Sequence, residues 1–126
     1  MKQYIILAVT IIVLAVFSFW QIKFLNNAKE QIDAIVKQVQ SNLQIDNYMA
    51  ASIGYKELES KWEKLRNGID AFSDHMDVET FEITMASLKV YIDEKERATA
   101  LEQCSILVQV IEHIVESENL SIASVF

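Results

Sequence analysis

Proline is missing from this chain of 126 residues, and glycine occurs only at Gly54 and Gly68. With the strongest chain breakers nearly absent, long helices become the default conformation. One cysteine, Cys104, excludes an internal disulfide. An extracellular setting stays open all the same, because oxidising surroundings permit disulfides without requiring them. Acidic residues are missing from the first 29 positions, and all eighteen Asp and Glu side chains follow. Residues 26–126 hold nine basic and eighteen acidic side chains, a formal net charge of −9. Such a surface repels nucleic acid, whose binding relies on basic groups that release counterions, so no nucleic-acid partner is expected.

What the first fifth does contain is an apolar and hydroxyl run over residues 4–20, with Lys2 and Lys23 as its nearest charges. At 1.5 Å per residue the run covers about 25 Å, slightly short of a hydrocarbon core of about 30 Å. Ile22, Phe24 and Leu25 extend it, and Lys23 reaches the headgroups through its apolar stem. Tyr4 and Trp20 stand near its two ends, where interfacial aromatics belong. The competing reading is a cleaved leader, which shares the basic start and the apolar stretch. Val16 and Ser18 make a poor cleavage site, since bulky Phe19 and Trp20 follow at once. Membrane attachment through Tyr4 to Trp20 is therefore expected, with residues 1–25 as an N-terminal transmembrane signal-anchor. Lys2 and the terminal amine face Lys23 and Lys29 in a near tie of positive charge. The short N-terminal stub favours a single-pass protein of the cell membrane with its domain on the extracytoplasmic side.

Residues 26–126 form the second unit, an acidic helical domain with helices over about 26–44, 47–72, 77–92 and 94–116 and a docked C-terminal tail. Leu25, Ala28, Ile32, Ile35, Val39 and Leu43 advance by threes and fours, as one apolar helix face does. Tyr48, Ala51, Tyr55, Leu58, Trp62, Leu65, Ile69 and Phe72 make the cleanest heptad seam, with Asp46 or Asn47 as its cap. Val78, Phe81, Met85, Leu88 and Ile92 make a third stripe, for which Asp77 is the expected N-cap. Leu101, Cys104, Val108, Ile111 and Val115 make a fourth, widened by Leu107, Val110 and Ile114. Asp93 with Glu96 reads as a capping box between the last two helices. Leu120, Ile122, Val125 and Phe126 are expected to dock on the bundle. Short connections favour antiparallel neighbours, so the fold class is all-α: an N-terminal transmembrane helix followed by an antiparallel up-and-down helical bundle or hairpin array.

None of the established zinc or nucleophile spacings occurs, so no enzymatic activity, catalytic residue or cofactor is expected. Trp62 in a heptad seam reads as core, and Cys104 as a packed thiol. One constellation invites chemistry. Reflecting the third helix about its turn brings His75 and His113, the two histidines of the chain, to the same end of one hairpin. Asp74, Asp77, Glu112 and Glu116 stand near them in sequence, so these six residues are the metal or acid–base candidates. The bland reading is that each imidazole bonds a neighbouring carboxylate and stabilises the rim.

The order of the apolar anchor, Asp46-Asn47-Tyr48 with Ala51, Trp62-Glu63-Lys64, Asp74-His75, Leu88-Lys89 with Tyr91-Ile92, Glu112-His113-Ile114 and terminal Phe126 resembles an uncharacterised Firmicutes family, the domain of unknown function four-three-six-three. Tyr48 stands where tryptophan is more frequent, and Ser124-Val125 replace asparagine and isoleucine. The resemblance spans essentially the whole chain and implies a short membrane-tethered helical protein of spore-forming and related bacteria, with no activity assigned. Two classes of function follow. The preferred one is an interaction or structural module that meets another membrane or envelope protein, or itself. The alternative is a small-ligand or metal-binding sensor using His75 and His113.

Overall fold

The computed structural model describes residues 1–125, and among them the regular structure is helical throughout. Helix α1 spans Lys2–Gln44, α2 Tyr48–Phe72, α3 His75–Asp93 and α4 Arg97–Val125. Each helix packs on the next, and α4 closes the ring on α1, which makes an up-and-down four-helix bundle. The apolar run and the first stripe belong to one uninterrupted 43-residue helix. That helix is long and apolar enough to cross a membrane. Burial begins at Leu25 and continues through Ala28, Ile32, Ile35, Val36, Val39 and Leu43, so the second half of α1 is a full member of the bundle.

The four expected stripes supply the core. Fully buried Leu58, Ile69, Phe81, Leu88, Leu107, Ile111 and Ile114 converge with those of α1. At the centre Trp62 stacks on Phe81, with ring centroids 4.1 Å apart. Its indole Nε1 donates to Glu82 Oε2 at 3.3 Å, which satisfies the polar atom that comes with burying a tryptophan.

Helix ends differ from expectation in four places, each for a local reason. Asp74, not Asp77, caps α3: its carboxylate accepts from the Met76 N–H at 2.9 Å, so the helix starts at His75 and Asp77 falls in its first turn. Asp93 and Glu96 do not form a capping box. Asp93 is the last residue of α3, and the Glu96 N–H is held by Tyr91 O at 2.9 Å. Consequently α4 begins at Arg97, with Glu96 O accepting from Ala100 N. Finally, α4 does not stop at 116 and turn into a docked tail; it stays helical to Val125. Leu120 is exposed, while Ile122 is half-buried and lines a shallow open depression together with Ala15, Ser18, Phe19 and Ile22 of α1. The expected docking of Phe126 lies outside the described residues.

With so little glycine, α1 and α3 terminate on other residues. Asp46 and Lys95 both take φ 57°, the left-handed region. In each case the next N–H reaches back five residues, from Asn47 to Asn42 O at 2.8 Å and from Glu96 to Tyr91 O at 2.9 Å. This is the Schellman arrangement, adopted twice without its usual glycine. Arg97 joins the two turns through Asp46, Nη1 to Oδ2 at 3.3 Å. As expected, Asn47 caps α2, accepting from the Ala50 N–H at 3.1 Å.

Candidate functional site

His75 lies at the start of α3 and His113 about three turns before the end of α4, both at the end of the bundle that faces the apolar half of α1. They do not share a site. His75 Nδ1 pairs with Asp70 Oδ1 at 3.2 Å across the α2–α3 turn, and His113 Nδ1 pairs with Asp77 Oδ2 at 3.4 Å across α3 and α4. Asp70 was not among the sequence candidates; its spacing of five from His75 bridges a turn and falls outside helical i,i+4 logic. The hydrogen bond that the imidazole donates to Asp70, then the charge of that carboxylate, raises the His75 pKa above the usual imidazole value. Asp74 is engaged as a cap, and Lys29, whose ammonium is held protonated first by its hydrogen bond to Asp33 and the charge of that carboxylate, also feels the charge of Glu112. Glu116 is exposed. Among the described residues no three His, Cys, Asp or Glu side chains converge in a way that could hold a metal ion.

Other reactive groups are equally committed. Burial pushes the Cys104 thiol up to about 12, which keeps it neutral and unreactive in the folded chain. Arg66 Nε reaches Glu82 Oε2 at 3.0 Å, beside the Trp62 indole, and these donors hold the Glu82 carboxyl below its ordinary value. A cavity between α2 and α3, lined by Tyr55, Lys56, Glu59, Lys89 and Asp93, measures about 70 Å³. Small-molecule sites usually hold roughly 300–1,000 Å³, so this space suits a few waters at most. A larger depression beside the α1–α2 and α3–α4 turns, about 620 Å³, lies open to solvent.

The surface is more informative than the interior. On the outer face of α3, Met76, Ile83 and Val90 follow one another at seven-residue intervals and remain 71 %, 67 % and 55 % exposed. Thr80 and Ser87 fall between them, so a stripe of uncharged side chains spaced by fours and threes runs along the helix. That is the spacing of a coiled-coil seam, with no helix packed on it among the described residues. Sequence reasoning missed the stripe because Val78, Phe81 and Met85 make a stronger one on the opposite face. Its signal was present in the seven-residue repeat of Met76, Ile83 and Val90.

A second apolar zone surrounds the junction of α1 with the bundle. Phe72, the last residue of α2, meets Phe17, Trp20 and Phe24 with ring centroids 5.8, 5.8 and 6.1 Å apart. Nearby, Gln21 Nε2 donates to Glu118 Oε2 at 2.8 Å, and burial raises the Glu118 pKa. The bundle therefore reaches down α1 into the apolar run.

No curated protein and no solved structure matches the chain. A family model described as Domain of unknown function (DUF4363) matches residues 19–125, which takes in the whole bundle from its aromatic base upward, and the chain belongs to that family.

Proposed function

We propose that this protein is a membrane-tethered interaction module without catalytic activity, anchored through Tyr4 to Trp20 as a single-pass protein with its bundle on the outer face of a bacterial membrane. Its contact surface is the outer stripe of α3, and the partner is another membrane or envelope protein or a second copy. The observation that carries this reading is the exposed heptad of Met76, Ile83 and Val90 on a helix whose opposite face is already fully packed. A narrow apolar seam of this kind gains free energy by burial against another helix. Tethering both partners in one membrane raises their effective concentration, so a modest contact persists. The cavity between α2 and α3 holds about 70 Å³, well below the roughly 300–1,000 Å³ of small-molecule sites, which supports a role in binding surfaces over one in binding small molecules.

A photoreactive side chain placed at Ile83 in the full-length chain, activated in native membranes, is expected to give a discrete adduct. The same group at Glu57, on the wet side of α2, should give none. Equal labelling from both positions, or none from position 83, removes α3 as the contact surface.

A further inference from the structure

The base of the bundle stands level with the later part of the apolar run of α1. The apolar run of α1 starts at Tyr4 and resists sliding outward, because the charged side chain of Lys2 closes that side. From Tyr4, a hydrocarbon core of about 30 Å consumes about 20 residues and ends near Lys23. The bundle, however, contacts α1 well before that point. Phe72 touches Phe17 and Trp20. Ile122 packs at the level of Ala15 to Ile22. If α1 crosses the membrane, the end of α2 and the last turns of α4 share its depth.

These surfaces suit that place. Leu120 is 71 % exposed, and after Glu118 the sequence carries no charged side chain. Phe19 and Trp20, flanking the same zone, are exposed as well, so apolar surface surrounds the junction instead of forming a seam for one partner. Glu118, the last charge before this tail, is hydrogen-bonded to Gln21 and partly withdrawn from water.

We infer that the C-terminal end of α4, with Leu120 and Ile122, and the α2 terminus at Phe72 insert into the acyl–headgroup boundary as a second membrane contact beside the transmembrane helix. This rests on the tethering proposed above. The contact fixes the tilt and rotation of the bundle, so that α3 is presented in a set direction and not on a freely swivelling stem.

The test uses the full chain in phosphatidylcholine vesicles, with single nitroxide labels introduced by Leu7→Cys, Val90→Cys and Leu120→Cys. Each is made both with Cys104 retained, since it is buried, and with Cys104→Ala. Collision with oxygen, which concentrates among acyl chains, is compared with collision with a water-soluble nickel chelate. The ratio at position 120 is expected to approach that at position 7 and to exceed that at position 90 by several-fold. If position 7 reads as lipid but position 120 matches position 90, the second contact is overturned while the anchor stands. An aqueous reading at position 7 as well would overturn the tethering itself. Shielding of position 120 from both quenchers, with dipolar broadening, would mean that a second copy covers the tail and would equally overturn the lipid contact.

Discussion

At Gly54 and Gly68 a side chain of α1 occupies the space that a Cβ on α2 would need, and the two positions answer differently to the same substitution. A Cβ at Gly54 would lie 2.8 Å from Val39 Cγ2, and Val39 is fully buried with a stiff branched side chain. Helix propensity returns up to about 1 kcal/mol on Gly→Ala, but overpacking a closed core costs about 1–3 kcal/mol, so Gly54→Ala is expected to destabilise by about 1–2 kcal/mol. At Gly68 the clash is with the far end of the Phe24 ring, 2.5 Å away, and Phe24 is only half-buried. That ring swings aside, so Gly68→Ala is expected to cost about 0–1 kcal/mol. Denaturant-dependent thiol labelling of Cys104 in detergent micelles measures both, because this thiol is shielded until the bundle opens. A larger loss at Gly68 than at Gly54 would contradict the packing account. Glu118 gives a pH signature. Its pKa is raised in the folded chain by burial, so its contribution to stability is fully present below the unfolded carboxyl value and is lost as pH rises through the folded one. Glu118→Gln keeps an oxygen for Gln21 and cannot ionise. The variant should therefore gain on the native chain over the interval that starts at the ordinary carboxyl value of about 4, with the gap widening as pH rises toward the folded-state value. A constant gap across that interval would show that the carboxyl is not desolvated.

At the scale of elements, apolar periodicity was legible and helix ends were less so. The stripes from Leu25 to Leu43 and from Val78 to Ile92 are buried residue for residue, because the bundle offers each helix one inner face and the spacing states which face that is. The ends were harder to read, since several polar residues compete for each cap and only the path of the neighbouring helix decides among them. Asp74 and Asp77 are both chemically able to cap α3; Asp74 does so, and Asp77 meets His113. Lys95 in a left-handed conformation carries no sequence signal, as lysine has no special preference for that region. The candidate site was legible only in its coarse placement. Both histidines stand at the expected end, but their Nδ1 atoms turn to Asp70 and Asp77 separately. Rotation of one helix about its axis decides that outcome, and it is set by packing of the whole ring. The tail was misjudged for a different reason: Leu120 and Ile122 were read as groups seeking a core, whereas α4 continues along α1 beyond the core.

At the scale of the whole molecule, one helix belongs to two environments, and the division of labour along it is measurable. Residues 25–43 of α1 supply one side of the bundle core, while residues before Phe17 touch little of it. Deleting residues 1–20 therefore removes the apolar run and the Phe17 and Trp20 contacts with Phe72, yet leaves every fully buried α1 side chain in place. Each lost aromatic pair is worth about 0.5–1.5 kcal/mol beyond its buried area, so the shortened chain is expected to stay helical and to lose about 1–3 kcal/mol. Its acidic surface, with the formal charge of −9 carried by residues 26–126, should also keep it off anionic vesicles. Circular dichroism, Cys104 labelling and flotation with vesicles read these three outcomes separately. A shortened chain that folds but floats with the vesicles would show that the bundle base alone holds the membrane. Complete unfolding would show that the apolar run is a structural part of the bundle and not a tether, because the contacts it loses are too few to account for collapse of the core.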